Sequence, residues 1–281
     1  MKASAKRWAL VAGVLALAGV GAFLMMESLV RQMLYPAPPV RVPSPPPAPL
    51  VAVSLEAGGH EVSAWYEPPP DDRGVAAPVV LMLHGNGENL ETMRQAGLFE
   101  DFARVGAGVL AIDYPGYGRS AGTPSESSNV AAAEAAWAWL RTNEPGRTHL
   151  VAGWSLGAAV AAQLAARHDS EVAGVLLLSG WDRLEGIAKL HFPAWLVAVG
   201  LSDRYDSEAA ARRITKPALV VHGVRDEIIP VESGRRLHAA LAGPKEWVEV
   251  EGAGHNDLLG RPEAWTAIER FLARRSTAPP G

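Results

Sequence analysis

A mostly parallel α/β fold, with helices on both faces of a central sheet, is what this chain predicts, and three observations predict it. Short continuous apolar runs recur from Val79 onward, the pattern of strands buried on both faces. Longer segments with helical spacing lie between them, and such alternation calls for parallel strands joined by crossover helices. About 230 of the 281 residues follow residue 50, and 48% of the chain is hydrophobic against 20% charged. That is enough for one sizeable core and excludes a disordered or collagen-like chain.

The elements follow in order. Residues 1–35 form a leader in which Lys2, Lys6 and Arg7 precede an uncharged apolar run of 19 residues, Trp8 to Met26, closed by Glu27. As a helix this run spans roughly 28 Å, close to a hydrocarbon core. It exceeds the apolar region of about 7 to 15 residues usual in a cleaved signal, so an uncleaved anchor is expected. Val20-Gly21-Ala22 keeps cleavage and secretion as the alternative. Positive charge on the amino side holds that end in the cytoplasm and places the rest of the chain outside it. Residues 36–49 hold eight prolines, and a polyproline II spacer of about 40 Å is expected there.

The domain proper is expected over 50–275, with a tail at 276–281. Leu50 to Leu55 and Glu61 to Tyr66, separated by Ala57-Gly58-Gly59, read as a hairpin. Apolar strands are expected at 79–83, 108–112, 150–152, 174–178, 218–221 and 247–250, with helices at 130–140, 156–167, 231–241 and 263–274. The longest stretch without a strand, 181–216, contains Leu190 through Leu196 and reads as a lid. Its Trp181, Leu190, Phe192, Trp195, Leu196 and Val197 are candidates to line a pocket.

Charge and cysteine content narrow the function. The 26 basic and 30 acidic residues leave a net −4 with no dense basic cluster, so nucleic acid is not an expected partner. With no cysteine, disulfides, thiolate metal sites and cysteine nucleophiles are all excluded. Neither a phosphate loop, a dinucleotide fingerprint nor an H-E-x-x-H segment occurs, so no cofactor or metal is expected.

The pattern G-x-S-x-G occurs twice, at Gly153-Trp154-Ser155-Leu156-Gly157 and at Gly118-Arg119-Ser120-Ala121-Gly122. Context separates them. A nucleophile needs a sharp strand-to-helix turn that projects its hydroxyl and opens the helix toward the oxyanion. Ser155 has an apolar run before it and an alanine-rich helix former after it, whereas Ser120 runs into Pro124. Ser155 is therefore the expected nucleophile and Ser120 an ordinary turn. Of eight histidines, His255 sits in a loop between the last strand and the last helix, the place from which an imidazole reaches that serine. His84 and His222, each at a strand end, are read as structural.

Asp226, after the strand at 218–221, is the expected carboxylate, with Asp182 and Glu227 as rivals. Oxyanion donors are expected from the backbone N–H of Asn86, in His84-Gly85-Asn86-Gly87, and of Leu156. Trp154 is bulky for its place in the turn and is expected to narrow the acyl pocket.

These segments, together with Asp113-Tyr114-Pro115-Gly116-Tyr117-Gly118-Arg119-Ser120 and His222 through Pro230, resemble the α/β-hydrolase superfamily. They look most like its membrane-tethered branch of serine hydrolases, the BEM46-like and ABHD12/ABHD13/ABHD17-like proteins, over roughly residues 50–275. Asp203-Arg204-Tyr205-Asp206-Ser207 also resembles the stretch after the lid in that branch. The resemblance implies a serine hydrolase acting on an acyl ester or thioester, lipids included. A peptidase or acyltransferase using the same three residues is the alternative within enzymes. A non-catalytic interaction module would be expected to have lost one of the three, and all are present. A haloalkane dehalogenase would need an aspartate where Ser155 stands.

Overall fold

Eight strands join in one sheet: β1 (Val51–Ala57), β2 (His60–Glu67), β3 (Val79–Leu83), β4 (Gly108–Ile112), β5 (His149–Trp154), β6 (Val175–Leu178), β7 (Ala218–Gly223) and β8 (Lys245–Val250). The structure is a computed structural model that describes residues 2–70 and 77–276; positions 277–281 of the expected tail lie outside the described residues. The strand order is β1-β2-β4-β3-β5-β6-β7-β8. Only the β1–β2 and β2–β4 pairs are antiparallel; β4, β3, β5, β6, β7 and β8 run parallel.

Side-chain alternation along the central strands divides the core in two. In β3, Val79, Leu81 and Leu83 face one cluster, which also takes in α4 (Glu126–Asn143) and α5 (Leu156–Arg167). Val80 and Met82 face the other, built from α3 (Leu98–Arg104) and α10 (Pro262–Ser276). The expected strands are all present, and the helix at 156–167 begins and ends as read. The sequence reading did not resolve α2 (Leu90–Gln95) and α3, which are six and seven residues long and too short to show a helical period. A local signal for α2 exists: Asn89 and Thr92 form a reciprocal capping box. The lid segment folds as α6 (Leu184–His191), α7 (Ala194–Gly200) and α8 (Ser207–Ala211), and α9 (Val231–Ala240) completes the set.

The leader forms a single helix, α1 (Lys2–Leu34), whose Gly13–Leu34 portion is long and apolar enough to cross a membrane. It continues past Glu27 because Met26, Val30, Met33 and Leu34 repeat at three to four residues and give its last turns an apolar stripe. That stripe packs on the lid, close enough that a Cβ on Gly200 would lie 2.5 Å from the Val30 side chain. Past the helix, the Tyr35 hydroxyl donates to Asp203 at 2.6 Å and lies 3.1 Å from the Tyr205 hydroxyl.

Residues 36–49 do not stand off from the domain as expected. Val42 and Leu50 are buried in the second core cluster, and Asn89 Nδ2 donates to the Val40 carbonyl at 2.8 Å. An extended proline-rich backbone satisfies none of its own carbonyls, and here a neighbouring side chain takes one of them up.

Candidate active site

Ser155 lies between the end of β5 and the start of α5 with φ 56° and ψ −116°, a conformation L-residues rarely adopt. Glycine on either side makes the turn possible. A Cβ on Gly153 would sit 2.0 Å from the Gly157 carbonyl oxygen, and one on Gly157 would sit 1.9 Å from that of Leu83. The Ser155 N–H donates back to Leu178 at 2.9 Å, and α5 begins at once with Leu156, whose N–H is one of the helix's unpaired first donors.

The other G-x-S-x-G serine is differently placed. Ser120 is buried, its hydroxyl donates to the Asp113 carbonyl at 2.7 Å, and it accepts from the Ser63 N–H at 2.9 Å. It ties the loop after β4 to β2.

His255 Nδ1–H donates to Asp226 Oδ2 at 2.7 Å, with the proton placed on Nδ1 because a carboxylate only accepts. The second carboxylate oxygen accepts from the N–H groups of Ile228 and Ile229 at 3.0 and 2.7 Å. Burial raises the Asp226 carboxyl, but the hydrogen bonds from His222, His255 and Ile229 outweigh it and hold the group below the ordinary carboxylate range. The His255 ring packs against Trp154, centroids 5.0 Å apart, next to Ser155 in the chain. The rival carboxylates lie elsewhere: Asp182 is bound by Arg236 at 2.6 and 3.2 Å, and Glu227 is exposed.

His222 does more than the sequence reading gave it. Its Nε2–H donates to the Ile229 carbonyl at 2.8 Å and lies 3.4 Å from Asp226 Oδ2, so it braces the same carboxylate from four residues upstream. His84 is structural as read. It is fully buried, donates from Nδ1 to the Gly85 carbonyl at 2.6 Å and packs at a tilt on Tyr114, centroids 4.3 Å apart, and burial drives its imidazole down to about 4, neutral at ordinary pH.

The loop carrying Asn86 is held by its carbonyls. Tyr114 donates to the His84 carbonyl at 3.2 Å and Tyr117 to that of Asn86 at 2.9 Å. The Gly85 carbonyl, which shares a peptide with the Asn86 N–H, is taken up by His84 Nδ1 at 2.6 Å, and that N–H therefore points to the opposite side. Asp113, whose carboxyl accepts from the N–H groups of Leu90 and Arg119 at 2.9 and 3.2 Å, fixes both ends of the arrangement. Glu88 adds a contact that the sequence reading missed, accepting from the Gly85 N–H at 2.9 Å; burial pushes its carboxyl up to about 7.

A cavity of about 310 Å³ reaches Ser155, Leu156 and Asn86 and is otherwise almost wholly apolar. Trp181, Leu184, Ile187 and Phe192 of the lid line it, with Ile228 and Ile229 opposite and Met33 and Leu34 of α1 beside them. Of the lid residues expected there, only Trp181 and Phe192 belong to it. Leu190 and Trp195 point to solvent, and Leu196 and Val197 meet Val30 and Leu34 of α1. Trp154 does not narrow this cavity either; it lines a separate one of about 350 Å³ with Glu88, Met93 and Asn256. Among the described residues no group of three His, Asp or Glu is placed to hold a metal ion.

Residues 78–199 match the profile described as alpha/beta hydrolase fold, and residues 194–279 one described as TAP-like protein. The uncharacterised protein Rv2307c of Mycobacterium tuberculosis is 35% identical over 93% of this chain and 94% of its own. Human alpha/beta hydrolase domain-containing protein 17B is 35% identical over 69% of this chain and 66% of its own. Among solved structures, Est1E from Butyrivibrio proteoclasticus superposes with a TM-score of 0.66 at 18% identity, over 81% of this chain and 99% of its own. The Pyrococcus furiosus esterase Pf2001 superposes with a TM-score of 0.66 at 21% identity, over 85% and 97%. The chain belongs to the α/β-hydrolase superfamily, in the company of its ABHD17-like branch.

Proposed function

We propose that the chain is a membrane-tethered serine hydrolase that cleaves carboxylic ester or thioester bonds of lipid-like substrates. The observation that carries this reading is Ser155, held in a left-handed turn at the edge of an apolar cavity, with the Asp226–His255 pair packed against its neighbour Trp154.

In this mechanism Ser155 Oγ attacks the substrate carbonyl while His255 Nε2 accepts its proton. Asp226 holds the ring with Nδ1–H toward itself and stabilises the imidazolium. Negative charge gathers on the former carbonyl oxygen, facing the backbone N–H groups of Asn86 and Leu156. The C–O or C–S bond then breaks, the leaving group takes the proton from His255, and an acyl-Ser155 ester remains. Water, deprotonated by His255, attacks that ester, the acyl–Oγ bond breaks, and Ser155 Oγ takes the proton back from His255 as the acid leaves. The apolar lining favours an acyl chain over a polar one.

Tethering rests on the apolar length of α1, and Lys2, Lys6 and Arg7 on its amino side support an extracytoplasmic catalytic domain. The test is hydrolysis of p-nitrophenyl esters from acetate to decanoate by the full chain in detergent micelles, with Ser155→Ala, Ser120→Ala and Asp182→Ala. Activity lost at Ser155 alone supports the reading. A wild type that neither hydrolyses any ester nor reacts with a fluorophosphonate overturns it.

A further inference from the structure

The last turn of α1 reaches farther into the domain than a tether requires. Met33 and Leu34 form part of the lining of the cavity at Ser155. The Leu34 carbonyl accepts from Asn86 Nδ2 at 3.3 Å, so the same turn touches the loop that presents the Asn86 N–H. This end of the helix is fixed from several directions. Arg31 donates to the Pro124 carbonyl at 3.0 Å, and Tyr35 is buried with its hydroxyl on Asp203 and Tyr205. Val30 and Met33 share an apolar pocket of about 20 Å³ with Leu196 and Val197 of the lid. A helix that merely tethered a domain would need none of these contacts, and its last turn would be free to swing.

We propose that the final turn of α1 is one wall of the acyl site, with Met33 and Leu34 setting the acyl-chain length that the enzyme accepts; this rests on the hydrolase reading above. The occupant is the acyl chain of the substrate ester, because the cavity's polar end is Ser155 with Asn86 and its remaining walls, apart from His191 whose Nε2 is taken up by the Ile228 carbonyl at 2.8 Å, are aliphatic and aromatic. The wall also stands close to the proposed bilayer. Leu34 lies eight positions beyond Met26, about 12 Å along a helix, so a chain leaving the lipid beside α1 meets the cavity within its own length. The lid and the tether therefore act on the substrate together: Phe192 and Trp181 close one side, and Met33 and Leu34 the other.

The experiment measures the ratio of decanoate to acetate hydrolysis (kcat/KM) by the full chain in micelles. The variants are Leu34→Ala, Leu34→Phe and Met33→Ala, with Leu24→Ala, exposed on the membrane side of α1, as the control. Leu34→Ala and Met33→Ala are expected to raise the ratio and Leu34→Phe to lower it, each by about five-fold or more, while Leu24→Ala leaves it unchanged. Loss of folding does not produce opposite shifts from two substitutions at one position, so the sign of the pair carries the result. Ratios that stay put at positions 33 and 34, in chains that still react with a fluorophosphonate, overturn the wall while leaving the hydrolase standing. A wild type unreactive toward the fluorophosphonate removes both.

Discussion

His255 Nδ1 lies 2.7 Å from Asp226 Oδ2, while Asp182, on the loop after the neighbouring strand, is held by Arg236 at 2.6 Å. Two carboxylates near the same sheet edge thus have separate tasks. Asp226→Asn is expected to lower kcat about 10³- to 10⁴-fold, since the amide favours the wrong imidazole tautomer. Asp182→Asn should keep activity within a few-fold and lower the melting temperature, because Arg236 loses its partner. Steady-state kinetics beside thermal unfolding checks both, and a reversed pattern would show the roles exchanged.

Ser120→Ala is expected to leave fluorophosphonate labelling intact and to cost about 1–3 kcal/mol of stability, because a buried N–H and a carbonyl each lose a partner. Urea unfolding measures the loss. Labelling that disappears with Ser120 rather than with Ser155 would move the nucleophile to the other turn.

Tyr117→Phe removes the donor that holds the Asn86 carbonyl at 2.9 Å. The Asn86 N–H belongs to the preceding peptide, but with the residue's own carbonyl released its backbone is held less firmly and that N–H aims less well at the oxyanion, so kcat should fall about ten-fold, equivalent to about 1.4 kcal/mol. KM should change little. A fall confined to KM would show that Tyr117 shapes binding instead.

Glu88 predicts a pH effect on stability. Its carboxyl is raised to about 7 by burial, so the folded chain keeps a proton that the unfolded chain releases once pH passes the ordinary glutamate range. Between those limits the native state binds more protons, and stability falls as pH rises. Glu88→Gln keeps an acceptor for the Gly85 N–H and removes the charge. It should melt higher than wild type at about pH 8 and lose that advantage toward about pH 5. Equal melting curves at both ends would place Glu88 in ordinary contact with water.

The parallel sheet, the hairpin at 51–67 and the turn at Ser155 were legible because each rests on local spacing: apolar runs, a Gly-Gly step and a strand-helix junction. Asp226 and His255 were legible from their loops, since each follows a strand at the edge where α/β folds place their chemistry. The cavity was not. Its walls come from α1, α6 and the loop at 228–229, segments far apart in sequence, and nothing at Met33 or Leu34 separates a pocket residue from the end of an anchor. Glu88 and His222 escaped for the same reason, as partners of backbone groups that only the fold brings near.

The placement of Tyr35 and Arg31 bears on what the leader's fate means for the enzyme. A peptidase cutting after Ala22 would leave Phe23 to Leu34, twelve residues, with the pocket-lining turn still pinned at Pro124, Asp203 and Tyr205. Under the proposed function, an uncleaved and a cleaved leader would thus leave the same walls around the cavity at Ser155.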